Sequence, residues 1–504
     1  MRSRNRAAGA VLAASASVLG LCAFHAAEAP PVRAEAYRAQ ALHHAATSGL
    51  TYRATPGAER RAGRPNVFMI TVDDAAIGDF KYMPHVQHLL ADSGATLDNA
   101  IAPSPICVPA RASLLTGQYA HNHGARTISG PHGGFASFDD HNTLPVWLQK
   151  AGYRTLFVGK YLNGYGEDGR PTYIPPGWNQ WHATVDPTTY NFMKPELNNN
   201  GRLTRYHRYS TYVLRDQVNQ LLANPARTRN PWYLWANYVA PHKGDPVEPN
   251  DPRDFDTTYP APQDKGSFSW LPLPQKPDMF HWRAGGPSDF NAFQKAELKK
   301  VFDQRIEALQ AVDRAVASHV AELKRTHQWN NTLVILTSDN GYAVGEHNVV
   351  GKLWFWREIS NIPVVIHGPG VPQGASVRTL ISNPDIAATI AAAAGATPTG
   401  RVVDGSNVLP LLSEPTVQRV VPLEGWKVEN GDAQLYTGLR YGTRWTYFRY
   451  TNGRLEGLFD HRADPYELHN LVHSRRPAIQ QLLRKLRRLD RRYAACKGST
   501  CPNH

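Results

Sequence analysis

The organised part of the chain starts at Asn66–Val72, where NVFMITV runs unbroken and ends in Asp73-Asp74. A short continuous apolar run predicts a strand buried on both faces, whose C-terminal end delivers polar residues to a site. MPHVQHLLADSG then predicts a helix from Met83 that stops at Gly94. The alternation continues with a helix over Leu144–Ala151, strands over Tyr153–Gly159 and Trp232–Val239, and a long helix from Asp289 to His327. Strands over Thr332–Ser338 and Ile362–His367 and a helix over Pro384–Ala394 follow. This order predicts an α/β fold, a large and mostly parallel sheet flanked by helices, with ligands bound beyond the carboxyl ends of the strands. From Val402 the pieces shorten, to strands over Gln434–Arg440 and Trp445–Tyr450 and a helix over Pro477–Tyr493. They predict a smaller C-terminal α+β subdomain. Lys243–Asp289 has no period, is dense in Pro, Asp and Trp, and is too long for a passive connection; it reads as a substrate-lining loop.

The N-terminus departs from this pattern. An Arg-bearing start, an apolar Ala/Val/Leu stretch over Ala7–Phe24 and small residues before Pro30 predict a cleaved export signal over 1–29 and a secreted or extracytoplasmic protein. Residues 30–64 are Ala/Arg/Pro-rich and read as an extension or linker, so the organised chain divides into 65–400 and 401–504. No later segment is long and apolar enough to span a bilayer, which predicts no stable membrane insertion.

Composition narrows the class. With 504 residues, 42% hydrophobic and only four cysteines, the chain is neither disordered nor a disulfide scaffold. In an exported chain Cys496 and Cys501 of CKGSTC are expected to form a disulfide, which leaves Cys107 alone in the mature protein. The net charge of +13 is unevenly placed: residues 1–29 carry +2 and residues 475–492 carry +7. No base-reading motif accompanies it, so a nucleic-acid partner is disfavoured. The C-terminal helix sets Ile479, Leu482, Leu483, Leu486 and Leu489 on one stripe and basic residues on the other, a docked helix whose outer face can attract polyanionic glycans.

Four segments carry the chemistry: TVDDA at 71–75, PICVPARASLLTG at 105–117, APH at 240–242 and TSDNGYAVGEHNVVGK at 337–352. Asp73, Asp74, Asp339 and Asn340 lie at predicted strand ends and offer hard oxygen ligands that suit Ca²⁺ or Mg²⁺. Cys107 opens a predicted helix whose first turn holds Pro109, where free backbone N–H groups stabilise an oxyanion, and Arg111 adds a fixed charge one turn on.

The Cys107-x-Pro109-x-Arg111 spacing, followed by Leu115-Thr116-Gly117, resembles the signature of the formylglycine-dependent sulfatases of the alkaline-phosphatase-like superfamily. The fourth signature residue is more often Ser than the Ala110 of this chain. The resemblance runs from Asn66 to Leu471 and includes LFDHRADPYELHNLV. It implies a catalytic domain over 65–400 and a sulfuric ester hydrolase whose Cys107 is oxidised to formylglycine (3-oxoalanine) by a formylglycine-generating enzyme. It further implies that Asp73, Asp74, Asp339, Asn340 and the modified Cys107 ligate the cation. Arg111 would hold the aldehyde hydrate, and Lys160, His242 and Lys352 would grip the sulfate and its leaving oxygen. Many sulfatases place a histidine two residues after the lysine that matches Lys160; here Leu162 and then Asn163 follow, so Asn163 orienting a water, His121 or His123 are the candidates for that base. GKYLNGYG and TSDNGY are similar to the N-acetylglucosamine-6-sulfatase branch, which implies a 6-sulfated glucosamine-type sugar as substrate, with promiscuity toward aryl sulfates. The alternatives are a phosphonate or phosphodiester hydrolase of the same superfamily, or a non-catalytic sulfoglycan-binding protein if Cys107 stays unmodified.

Overall fold

A computed structural model describes residues 63–223, 230–281, 289–413, 417–429 and 431–501. The expected export signal, and all but the last two residues of the 30–64 extension, lie outside the described residues.

The fold is the expected α/β architecture, a large mixed sheet with helices on both faces. Its ten strands lie in the order Ala375–Val377, Ala95–Leu97, Val364–His367, Thr332–Ser338, Asn66–Val72, Trp232–Asn237, Arg154–Gly159, Gln180–Thr184, Glu196–Asn199 and Arg202–Arg205. The five central strands from Thr332–Ser338 to Gln180–Thr184 are mutually parallel, and antiparallel pairs flank them. The central strand Asn66–Val72 is buried throughout. Val67 and Met69 enter one apolar core, while Phe68, Ile70 and Val72 enter the other, as the period of two requires of a strand covered on both faces. The Ala292–Arg325 helix, capped at Asn291 by a reciprocal box with Gln294, packs with Ser210–Ala223 on the second core.

Downstream, Val420–Trp426, Gln434–Tyr441, Trp445–Tyr450 and Glu456–Asp460 form an antiparallel four-stranded sheet in sequence order. The Pro477–Tyr493 helix docks there through buried Leu483, Leu486 and Tyr493. Cys496 and Cys501 are disulfide-bonded.

Two predicted elements differ from expectation. The Met83–Gly94 segment is not one α-helix: a single α-turn at Pro84–Val86 passes into a π-helical turn over Gln87–Ala91. The Ile362–His367 run splits at Pro363, which lacks an N–H for a ladder; Asn361–Ile362 joins a small three-stranded sheet, and Val364–His367 joins the large one.

Candidate active site

Parallel register aligns the carboxyl ends of four neighbouring strands, and each contributes to one site. Val72 pairs with Ser338, Thr71 with Asn237 and Gly159 with Asn237, so Asp73-Asp74, Asp339-Asn340, the Asn237–His242 stretch and Lys160 emerge side by side. Close approach fixes the residue before Lys160: a Cβ on Gly159 would lie 1.9 Å from the Asn237 carbonyl oxygen, and φ there is 102°. The Cys107–Thr116 helix supplies the fifth component. Its ten residues are all buried, Pro109 sits in its first turn, and Gly117 ends it at φ 64°.

The charges form one buried network. Arg111 Nε donates to Asp339 Oδ2 at 2.8 Å, and its Nη1 donates to the Lys160 carbonyl at 2.9 Å and to Asn237 Oδ1 at 3.1 Å. Lys160 Nζ donates to Asp73 Oδ2. Lys352 Nζ donates to Asp74 Oδ1 at 2.5 Å and lies 2.8 Å from Cys107 Sγ. Asp339 Oδ1 accepts from the Asp74 and Asn340 backbone N–H groups at 3.1 and 2.8 Å. Asp74 itself has φ 72°, and Arg305 donates to its carbonyl. Burial disfavours the Asp73 carboxylate, yet Lys160, His242, Arg111 and Lys352 together hold it well below the usual range. Asp74 is likewise lowered against burial by Lys352 and His242. Burial and then Asp73 push Asp339 up, against the pull of Arg111.

His242 has a defined orientation. Its Nδ1 lies 2.7 Å from the Lys243 carbonyl, an acceptor only, so Nδ1 carries the proton and Nε2, 3.7 Å from Asp74 Oδ2, presents a lone pair. Burial pushes the ring down to about 4 despite Asp73 and Asp74, so it is neutral at rest. Tyr190, which no spacing in the sequence marks, closes this side. Its ring lies 4.7 Å from that of His242 and 4.9 Å from Lys160 Nζ, and its hydroxyl accepts from Asn163 Nδ2 at 2.7 Å. Asn237 and Arg305 are likewise site residues without a sequence signal. The two histidine candidates for the base have other partners: His121 contacts Glu424 and the Cys496 carbonyl, and His123 Nε2 lies 3.3 Å from Ser113 Oγ.

The donor set fits a divalent cation. One atom from each of Asp73, Asp74, Cys107 and His242 lies within 4.8 Å of the others. Asp339 and Asn340 adjoin them; Asn340 Nδ2 donates to Asp74 Oδ1 at 2.7 Å and its Oδ1 is buried without a partner, so turning the amide over would bring an oxygen ligand to the carboxylates.

The sulfatase family profile matches residues 65–396. Over 369 residues the chain is 31% identical to the extracellular sulfatase SULF-1 homolog of Drosophila melanogaster, covering 70% of this chain and 32% of that protein. Over 378 residues it is 30% identical to the N-acetylglucosamine-6-sulfatase of Capra hircus, covering 71% of this chain and 65% of that one. The chain thus spans about a third of the fly protein's length and just under two thirds of the goat's. A structure solved in complex with D-glucosamine-2-N,6-O-disulfate superposes with a TM-score of 0.71 at 19% identity, over 85% of this chain and 97% of that one, a likeness of fold.

Proposed function

The chain belongs to the sulfatase family, and from that premise we propose that it is a sulfuric ester hydrolase that removes the 6-O-sulfate of N-acetylglucosamine-type sugars. The reading includes a formylglycine made from Cys107 by a formylglycine-generating enzyme, and a cation, Ca²⁺ before Mg²⁺, held by Asp73, Asp74, Asp339, Asn340 and the modified residue. The observation that carries it is the convergence of three carboxylates, an amide and three fixed cations on the one cysteine at a helix start.

Once present, the cation and the aldehyde hydrate supply an acidified hydroxyl as the attacking group. The remaining work falls to the chain. Burial opposes protonation of Lys160 and Lys352, but Asp73 and Asp74 raise both well above the ordinary lysine range, so each keeps an ammonium in a dry pocket to offset sulfate charge. Arg111 fixes Asp339 and, with Asn237, the start of the Lys160 loop. His242 holds its Nε2 lone pair toward the site; an anionic ester beside it raises its affinity for a proton, which it takes up from solvent as the ester binds and then passes to the leaving sugar oxygen. Asn163, whose Oδ1 is buried without a partner, orients the water that takes the proton when sulfate leaves.

We place the protein outside the cytoplasm, consistent with the extracellular fly relative; no described helix is long and apolar enough to cross a membrane. Its basic C-terminal helix is the contact for sulfated polymers. Parallel assays of N-acetylglucosamine 6-sulfate, an aryl sulfate and a phosphodiester test the substrate, and the intact mass of the tryptic peptide bearing Cys107 tests the modification, about 18 Da lighter after oxidation. Turnover of the 6-sulfated sugar is expected; turnover of the phosphodiester alone would move the chain to ester hydrolysis at phosphorus.

A further inference from the structure

A second group of metal-ligating side chains lies among residues that the sulfatase chemistry does not use. Asp278, His347 and Glu358 each offer one atom within 4.8 Å of the others. His347 Nε2 lies 3.9 Å from Asp278 Oδ2 and 4.0 Å from Glu358 Oε2. Asp278 is 0% exposed, and neither of its carboxylate oxygens has a hydrogen-bond partner. His347 Nε2 is also buried and unpartnered. A buried carboxylate without a donor is among the costliest arrangements in a folded chain, because nothing replaces its lost hydration. Lys276 does not supply the missing partner: its Nζ sits 2.6 Å from Glu346 Oε1 and 3.5 Å from Glu358 Oε1. Among the described residues, the only ion-pair neighbour of Asp278 is the His347 ring.

The backbone is shaped to bring these groups together. His347 and Asn348 both adopt left-handed conformations, φ 51° and 58°, which residues with a Cβ avoid at a cost of about 1 kcal/mol or more each. The His347 N–H donates to the Asp278 carbonyl at 2.8 Å, and the imidazole is stacked on Trp356 with ring centroids 3.8 Å apart and 10° between planes. Both contacts fix the ring with Nε2 toward the carboxylates.

We propose that Asp278, His347 and Glu358 form a second divalent cation site, structural in role, that pins the loop around Asp278 to the segment leading to Lys352. One imidazole nitrogen with two carboxylates is a borderline donor set and suits Zn²⁺ better than Ca²⁺. Ligands of tetrahedral zinc lie about 3.3 Å apart, so the pairs at 3.9 and 4.0 Å need to close by less than 1 Å.

The test uses the full chain carrying Cys107→Ala and Asp74→Asn, which removes two donors of the first site so that retained metal reports the second. Equilibrium dialysis against Zn²⁺ with elemental analysis is expected to give one zinc per chain, and adding Asp278→Asn should weaken binding at least about tenfold. Zinc-edge absorption spectroscopy on the wild-type chain in excess Ca²⁺ needs no variant, and is expected to read nitrogen and oxygen neighbours at about 2.0–2.2 Å. Three results would overturn the site: no retained zinc, equal retention after Asp278→Asn, or a sulfur-dominated shell that places the metal at Cys107.

Discussion

Burial pushes the Cys107 thiol up to about 11 although Lys160 and Lys352 pull it down, so at neutral pH the unmodified residue is a protonated and inert thiol. On the proposed reading, the site gains a nucleophile only when that sulfur is replaced by oxygen chemistry. Cys107→Ala is therefore expected to lower turnover of the sulfate ester by about 10³-fold or more while leaving the thermal melting curve nearly unchanged. Arg111 should behave in the opposite manner. It is fully buried and binds Asp339, Asn237 and the Lys160 carbonyl, so Arg111→Met strands a buried carboxylate and should cost about 3–5 kcal/mol in denaturant unfolding. A loss below about 1 kcal/mol would show that Asp339 is stable without the guanidinium. Residues of this network with a short-range signature, Cys107 and Arg111 or the paired acids at strand ends, are legible in the sequence. Tyr190, Asn237 and Arg305 are not, because no spacing marks them; a 3-10 turn over Thr188–Tyr190, strand register and a helix from the far side of the sheet respectively bring them to the site.

Among the elements, runs buried on both faces are the easiest to read. Thr332–Ser338 coincides with its predicted bounds, and Trp232–Asn237 ends two residues early, where the chain turns into the site. The strands Gln180–Thr184, Glu196–Asn199 and Arg202–Arg205 escape because they are short and polar and no apolar run develops in them. The Pro84–Ala91 segment keeps a helical composition but takes a π-turn, which apolar periodicity of 3.6 does not encode. One short helix, Ala120–His123, ties the active-site helix to the C-terminal sheet. Burial opposes protonation of its His121, but Glu424 and the Cys496 carbonyl raise it to about 9, above the unfolded value near 6.5. A raised folded value means that this stabilisation is complete below about pH 6.5 and is lost as pH rises through about 9. His121→Gln should accordingly lower stability by about 2 kcal/mol at pH 6 and by much less at pH 10. A gap that is flat with pH would assign the contact to packing alone.

At the scale of the whole molecule, the excess positive charge and the active site occupy different places. The site cations Arg111, Lys160 and Lys352 are matched by Asp339, Asp73 and Asp74, whereas residues 475–492 carry +7 of the chain's +13. That helix is part of the core: Leu483, Leu486 and Tyr493 are buried, and Asp490 accepts from Thr437 Oγ1 at 3.0 Å and Arg449 Nε at 2.8 Å. Cutting it away would expose apolar surface and confuse stability with binding. Arg484, Arg488, Arg491 and Arg492 are exposed on one face and can be exchanged without touching the buried stripe. Replacing all four with Gln should raise KM for a sulfated polysaccharide by about 3- to 10-fold at low ionic strength, through loss of electrostatic attraction. Turnover of a small sulfate ester should be unchanged, because on the proposed reading Lys160 and Lys352 hold that substrate and the helix does not. The difference between the two substrates should also fade at high salt, where the screening length falls to about 3 Å at 1 M. Equal kinetics on polymer before and after exchange would confine the basic face to solubility and leave substrate selection entirely to the buried site.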